Sequence, residues 1–315
     1  MIEDGSDAVA RVVRGGLVES VHRGHLVVLA PDGSVRLRRG DPDVTFFPRS
    51  SLKPVQAVAM LRCGLDLDGE LLALACASHS GEPDHLAGVR RILGGAGLDA
   101  ADLQNTPALP LDADAAFAWR QAGNGPASLA QNCSGKHAAM LATCVAAGWD
   151  RAGYRDPAHP LQRAVRATVA ELTGDGEPAH VTVDGCGAPL FSCTPGGLTR
   201  AFARIATGAP GTPEHRVAAA VRAHPWWIGG TGRFATRLIG AVPGLVAKDG
   251  AEGVFATALP DGGALALKIA DGSPRPVPPV VTAALEALGV TGLDELGRVD
   301  VLGHGAAVGA VVPAS

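Results

Sequence analysis

The sequence lacks the features of a membrane or nucleic-acid-binding protein. No apolar run reaches roughly 18 residues, the length that a membrane-spanning helix needs, so we expect no membrane partner. The net charge is −4 and no long run of like charge occurs, which gives no basis for a nucleic-acid partner. The opening residues are acidic and have no apolar core, so we expect no secretory signal and a cytoplasmic protein.

Cysteine is also scarce. Six cysteines occur among 315 residues, and a chain of this length can bury a sizeable core without disulfides. In a chain that lacks a leader, such cysteines are typical of reduced thiols, some of which can bind a metal ion.

Patterns typical of strands lie at both ends of the chain, and helical patterns lie between them. Extended segments predict strands and hairpins at residues 9–13, 17–21, 26–37, 180–183, 254–269, 299–302 and 307–312. Apolar residues at helical spacing and helix-start signals predict helices at residues 55–61, 113–121, 138–147, 161–172, 213–223 and 280–288.

The order of these elements predicts an α+β fold, layered as α/β/α. We expect one antiparallel sheet that is built from both termini, with a mainly helical lobe inserted into it. The sheet lobe would comprise residues 1–64 and 175–315, and the helical lobe residues 65–174, in one integrated catalytic unit. A binding site is expected between the lobes.

The first chemically distinctive segment is residues 49–54, RSSLKP, where an extended run passes into a helix. Ser50 and Lys53 are three residues apart and would share a helical face. A serine becomes nucleophilic when a neighbouring group takes its proton, and a lysine can do so if its pKa is lowered. The same Ser-x-x-Lys pattern serves serine β-lactamases and penicillin-binding proteins. On its own it also fits a helix-capping serine beside a solvated lysine.

The second and third segments contain cysteines in turns. Cys133 precedes a predicted helix, and Cys186 lies in a glycine-rich turn after a strand. Two such thiols can share a zinc ion with a third protein ligand. The residue types alone favour His137 as that ligand. The alternative is that both cysteines are small buried apolar residues.

A fourth segment, residues 248–253, begins with Lys248 in a Lys-x-Gly triplet before a hairpin. This pattern would bring a second lysine into a cleft, as the Lys-Thr-Gly element does in β-lactamase-type enzymes. The alternative is a lysine on a surface turn. The glycine-rich segment at residues 229–233 lacks the ending of a phosphate-binding loop, so we exclude that function for it.

Six motifs in one order resemble the asparaginase II family, the rhizobial-type or class 3 L-asparaginases, over nearly the whole chain. They are residues 49–54 (RSSLKP), 76–83 (CASHSGEP), 132–137 (NCSGKH), 184–189 (DGCGAP), 229–234 (GGTGRF) and 248–253 (KDGAEG).

The resemblance implies a fold similar to serine β-lactamases and glutaminases, and hydrolysis of L-asparagine to L-aspartate and ammonia. It implies two facing Ser-Lys pairs, Ser50 with Lys53 and Ser78 with Lys248. Ser80 is a second serine in the same motif and leaves the choice of Ser78 open. We expect L-asparagine as the small-molecule partner, no organic cofactor, and a homodimer.

The resemblance also implies a zinc site formed by Cys133, Lys136 and Cys186, with Asp184 as an anchor for Lys136 or for metal-bound water. The residue set that we predict for substrate binding is Arg49, Ser80, Asp184, Thr231 and Arg233.

Two other functions fit the same residues. One is a glutaminase or another amidohydrolase of the β-lactamase fold, because one methylene separates asparagine from glutamine. The other is a non-catalytic protein that zinc stabilises and that binds ligands without turnover.

Overall fold

Extended segments from both ends of the chain pair into one antiparallel sheet in the computed structural model, which describes residues 2–314. The strands are β1 Asp7–Arg14, β2 Leu17–Leu29, β3 Val35–Arg39, β4 Val181–Val183, β5 Pro189–Phe191, β6 Val246–Gly250, β7 Val254–Ala258, β8 Ala264–Ile269, β9 Asp300–Gly303 and β10 Ala306–Pro313.

The sheet joins the N-terminal and C-terminal strands in its centre. Within residues 2–314 it has eight strands, in the order β6-β7-β8-β2-β1-β10-β9, with β3 paired to β2. The register places Leu26 of β2 opposite Leu267 of β8, and Val12 of β1 opposite Val311 of β10. Strands β4 and β5 form a separate two-stranded sheet. The predicted antiparallel sheet from both termini is therefore confirmed.

Helices cover the sheet and fill the middle of the chain. Short 3₁₀ helices occur at Arg49–Leu52 and Ala100–Asp102. The α-helices are α1 Lys53–Arg62, α2 Gly69–Ala75, α3 Pro83–Gly95, α4 Ala113–Gln121, α5 Ser134–Ala147, α6 Pro160–Thr173, α7 Pro195–Ala206, α8 Pro213–Ala223, α9 Pro225–Gly229, α10 Phe234–Ala241, α11 Val277–Glu286 and α12 Asp294–Gly297. Helix α7 packs on β2, β7 and β8, and α11 packs on β1, β7, β8 and β10.

Helix α1 is the centre of the helical packing. It contacts α2, α5, α6, α7 and α8, and every residue from Lys53 to Leu61 is buried. A helix that is covered on all sides is expected to be apolar all round, and residues 55–61 fit this expectation apart from the buried Gln56. Its first residue, Lys53, is therefore carried into the interior.

The predicted α+β class is confirmed by this mixture of one antiparallel sheet and many helices. Apart from one isolated bridge between Ala108 and Ala127, residues 65–174 contain helices and loops only. Among residues 2–314, every helix is too short or too polar to span a bilayer.

Candidate active site

A cavity of about 470 Å³ lies where the 3₁₀ turn before α1 meets β6, β7, α10 and the start of α11. Its polar residues are Ser50, Ser78, Asn132, Arg233 and Asp249. They come from five separate segments of the chain, and three of them were predicted as site residues.

Ser50 occupies the 3₁₀ turn that runs into α1. It is partly exposed to the cavity, and its hydroxyl has no hydrogen-bond partner among residues 2–314. Arg49, directly before it, has a φ of 52°, a left-handed conformation that is strained for a residue with a side chain. The Arg49 Nε donates to Asp184 Oδ1 at 2.8 Å, an ion pair that helps to hold this conformation.

Lys53 is buried, and its amine reaches Ser78 on the cavity wall. Its Nζ donates to Ser78 Oγ at 3.1 Å, to the Ala77 carbonyl at 2.5 Å and to Cys133 Sγ at 3.2 Å. The structure thus pairs Lys53 with Ser78, whereas the sequence pattern suggested Ser50 as its partner. Both serines nevertheless line the same cavity.

Ser80 is engaged elsewhere. Its hydroxyl donates to the Gly229 carbonyl at 2.7 Å and its backbone N–H donates to the same oxygen at 2.8 Å. These bonds tie the loop after α2 to the end of α9. Of the two serines in this motif, Ser78 is therefore the one that contacts a lysine.

Lys248 lies in the middle of β6 and is fully buried. Its Nζ donates to the Asp249 carbonyl oxygen at 2.8 Å and forms an ion pair with the Asp249 carboxylate. Burial lowers the pKa of Lys248 to about 8; the Asp249 charge opposes this shift, and the positive charge of Lys53 adds to it. The sequence motifs suggested Ser78 as the partner of Lys248, but among residues 2–314 Lys248 Nζ contacts Asp249, while Ser78 Oγ contacts Lys53.

Asp249 has two positive partners. Its Oδ2 accepts a hydrogen bond from Arg233 Nη2 at 2.9 Å, while Oδ1 faces Lys248. Burial alone would raise the pKa of Asp249, but the charges of Lys248 and Arg233 hold it below its usual range. A positive and a negative side chain thus lie together on the cavity wall.

The two loop cysteines meet in the fold. Cys133 and Cys186 form a small buried cluster with Ala188, and Lys136 Nζ donates to Cys186 Sγ at 3.1 Å. The hydrogen bond from Cys186, together with the charges of Lys53 and Lys136, outweighs burial and lowers the pKa of Cys133. The interaction with Cys133, together with burial, raises the pKa of Cys186.

Lys136, rather than His137, faces the thiols. The Nδ1 atom of His137 lies 2.6 Å from the Tyr154 hydroxyl, and the ring is fully buried in the core. Asp184 is near the cluster, with its Oδ2 at 4.0 Å from Cys186 Sγ. Burial raises the pKa of Asp184 less than the charges of Lys136 and Arg49 lower it.

Two thiols and one amine converge here, a donor set that suits zinc because zinc accepts both sulfur and nitrogen ligands. The lysine would have to lose its proton on binding the metal. Within residues 2–314, no group of three or more His, Cys, Asp or Glu side chains is placed to hold a metal ion. A zinc site with three protein ligands at this position would therefore need the Lys136 amine as the third ligand.

The remaining predicted residues lie around the cavity rather than in one group. Arg49 lines a neighbouring cavity with Glu252 and Lys268. Thr231 is held by Glu82, which accepts from its backbone N–H and its hydroxyl, both at 2.8 Å.

Sequence reasoning missed Asn132 and Asp249 as cavity residues, although they lie in the motifs at residues 132–137 and 248–253. Consecutive residues on a strand point to opposite faces, so the pattern gave no reason to expect that Asp249 would pair with Lys248. Asn132 precedes Cys133 in a loop, where no periodicity indicates the direction of its side chain.

Comparison with known proteins identifies the family of this chain. The sequence matches the family described as L-asparaginase II over residues 10–313. No curated protein matches the sequence.

Solved structures with related folds are distant. A candidate beta-lactamase from Bacteroides dorei DSM 17855 has 15% identity and a TM-score of 0.46, over 83% of this chain and 93% of that one. A beta-lactamase (Mb2281c) from Mycobacterium bovis has 13% identity and a TM-score of 0.45, over 84% of this chain and 95% of that one. The protein Mglu in its native form has 16% identity and a TM-score of 0.35, over 84% of this chain and 62% of that one. At this level of similarity they do not bear on the activity of this chain.

The family match, with a cavity that presents two serines, one of them hydrogen-bonded to the buried Lys53, defines a hydrolase of the amidohydrolase class. The chain belongs to the L-asparaginase II family, because the match spans nearly all of its length.

Proposed function

We propose that the protein is an L-asparaginase, which hydrolyses the side-chain amide of L-asparagine to give L-aspartate and ammonia. The observation that carries this proposal is the cavity itself. It presents the hydroxyl of Ser50, which has no hydrogen-bond partner in the described residues 2–314, and the hydroxyl of Ser78, which is hydrogen-bonded to the buried Lys53. The pKa of nearby Lys248 is lowered to about 8.

In the proposed reaction, Ser50 Oγ attacks the amide carbon and must lose its proton as it does so. The sequence suggested Lys53 as the group that accepts this proton. The hydrogen bond between Lys53 and Ser78 supports a path in which the Ser78 hydroxyl takes the proton from Ser50 and passes its own proton to Lys53. Lys248 supports this path as a second lysine that is neutral in part near pH 8. Backbone N–H groups in the turn around Ser50 would stabilise the negative charge on the oxygen.

Asparagine is a zwitterion, so its site needs one group for the α-carboxylate and one for the α-ammonium. Arg233 and Asp249 supply opposite charges on the cavity wall. Arg233 uses one N–H for Asp249 and keeps further donors for a carboxylate. We assign Arg233 to the α-carboxylate and Asp249 to the α-ammonium, with Thr231 and Ser80 supporting the loops around them.

We propose zinc as the metal at Cys133, Lys136 and Cys186. When bound, zinc would hold these three side chains together and add positive charge beside the cavity. Cys133 also contacts Lys53 at 3.2 Å, so an ordered metal site would help to fix the lysine that receives the proton. The Arg49–Asp184 ion pair at 2.8 Å links the same cluster to the turn that holds Ser50.

The direct test is release of ammonia from L-asparagine and, in parallel, from L-glutamine. The proposal predicts a higher kcat/KM for asparagine. Faster release from glutamine would make the protein a glutaminase. No release from either amide, with metal bound, would favour the binding protein that we gave as the other alternative.

A further inference from the structure

The cavity that holds Ser50 is larger than asparagine requires. Its volume is about 470 Å³, whereas pockets of roughly 300–1,000 Å³ accept drug-sized ligands. Asparagine has one methylene between its α-carbon and its amide, so it fills only part of this space.

Most of the cavity wall is apolar. The larger side chains in it are Leu111, Phe234, Val254, Phe255, Val277 and Pro278. The rings of Phe234 and Phe255 lie together, with centroids 5.2 Å apart. An apolar wall stabilises a bound ligand only when apolar surface of that ligand is removed from water. Asparagine itself offers very little apolar surface.

We propose that the protein also hydrolyses asparagine derivatives in which the side-chain amide nitrogen carries an apolar substituent, and that this wall binds the substituent. The inference rests on the proposed function. In the proposed function, Arg233 and Asp249 hold the α-carboxylate and the α-ammonium. An ester or amide at the carboxylate or an acyl group on the amine would remove a charged contact, and an alkyl group on the ammonium would take up space against Asp249. The amide nitrogen leaves in the reaction and is the one remaining polar atom that can carry an apolar group.

The chemistry is the same as for asparagine. The bond from Ser50 Oγ to the amide carbon forms, the carbon–nitrogen bond breaks, and the proton from Ser50 leaves with the amine. Water then cleaves the ester, which gives L-aspartate and restores the serine. The products are aspartate and an apolar primary amine in place of ammonia.

Three substrates test the position and the polarity of the substituent. They are N4-benzyl-L-asparagine, N4-(2,3-dihydroxypropyl)-L-asparagine, which has a polar substituent, and L-asparagine α-benzylamide, which carries the ring at the other end. Product formation is followed by mass spectrometry beside ammonia release from asparagine. We expect the N4-benzyl compound to have the highest kcat/KM of the three. Preference for the polar compound or for the α-benzylamide would overturn the inference.

A variant that fills the cavity gives the second test. Ala251 is exposed, lines the cavity and has no part in the reaction or in binding asparagine. Ala251→Trp should lower kcat/KM for N4-benzyl-L-asparagine by about tenfold or more and leave that for asparagine unchanged. Ala209→Trp, at an exposed loop position outside the cavity, is the matched control and should change neither.

Parallel measurements separate the two proposals. Hydrolysis of asparagine without hydrolysis of the benzyl compound would reject only this inference. If Ala251→Trp lowered kcat/KM equally for asparagine and for the benzyl compound, the proposal that the apolar wall binds the substituent would be rejected. Absence of asparagine hydrolysis would reject the proposed function.

Discussion

At the residue scale, the site depends on two lysines that are removed from water. Lys53 and Lys248 are 1% and 0% exposed, and burial of a charged amine is unfavourable unless polar groups accept its hydrogen bonds. Lys53 has a carbonyl, a hydroxyl and a thiol as partners, and Lys248 has Asp249. The balance of burial and pairing leaves Lys248 able to lose a proton near neutral pH.

The pKa of Lys248 predicts the pH dependence of the reaction. A lysine accepts a proton only when it is neutral, and the neutral fraction rises as pH increases through a pKa of about 8. We therefore expect kcat/KM to rise with pH across this range. Replacement of Lys248 by Met should remove this rise and lower the rate, as steady-state kinetics between pH 6 and about 10 would show.

Asp249 gives a control with a defined direction. Its negative charge raises the pKa of Lys248, so Asp249→Asn should move the rising limb to lower pH, whatever happens to the maximal rate. If the rising part of the pH profile stayed at the same pH in both Lys248→Met and Asp249→Asn, Lys248 would not be the group that titrates.

The two serines of one motif should differ in their effects. Ser78→Ala removes the hydroxyl that contacts Lys53 and should lower kcat by roughly 100-fold or more. Ser80→Ala removes a bond to the Gly229 carbonyl and should cost about 1 kcal/mol of unfolding free energy with little loss of kcat. Kinetics and urea unfolding on both variants would distinguish them. The reverse result would assign the second pair to Ser80.

At the element scale, the close approach of α2 and α5 positions the thiol cluster. Helix α5 starts at Ser134, directly after Cys133, and Gly135 lies against α2. A β-carbon at Gly135 would lie 2.5 Å from the Leu74 carbonyl oxygen. The absence of a side chain at this position thus sets the place of Cys133 and Lys136.

A methyl group at Gly135 should therefore disturb both stability and metal binding. Gly135→Ala forces α2 and α5 apart and should lower the unfolding free energy by about 1–3 kcal/mol, with loss of bound metal. Gly94→Ala, at an exposed position in α3 with open space around it, is the control and should be neutral or slightly stabilising. Thermal unfolding and metal analysis would measure both, and an unchanged Gly135→Ala protein would contradict the packing argument.

Local sequence patterns were sufficient for many elements. The predicted bounds of α4 and α8, 113–121 and 213–223, match the structure. Strand β6 was not predicted, because its sequence, VAKDG, has no alternation typical of a strand. It forms because β7 supplies hydrogen-bond partners along it, and no window of the sequence contains that information.

At the scale of the whole molecule, the site is assembled from distant parts of the chain. The motif positions identified Ser50, Ser78, Cys133, Lys136 and Cys186, and the structure brings the last three into one cluster and both serines to one cavity. The partner of Lys53 was not predictable, because it depends on how the loop after α2 lies beside α1. The homodimer and the cytoplasmic location stay predictions.

The proposed metal site joins segments that are about 50 residues apart in the chain. Chelation should raise KM for asparagine more than it lowers kcat, because the metal is proposed to order the pocket rather than to attack the amide. Cys186→Ser is the better variant for removing the metal, because Cys133 also contacts Lys53 and its replacement would disturb that lysine as well. Kinetics after metal removal that is verified by elemental analysis would test this. Loss of kcat with KM unchanged would mean that the metal takes part in the chemistry.

Ser50 is the proposed nucleophile of an asparaginase, and substitution of the two adjacent serines tests this role. Ser50→Ala and Ser51→Ala are made in parallel, since the Ser51 hydroxyl is buried and donates to the Lys248 carbonyl at 3.2 Å. We predict that Ser50→Ala keeps the melting temperature and metal content but lowers ammonia release from asparagine roughly 1,000-fold or more. Ser51→Ala should lose some stability and remain active. An active Ser50→Ala protein would show that Ser50 is not the nucleophile.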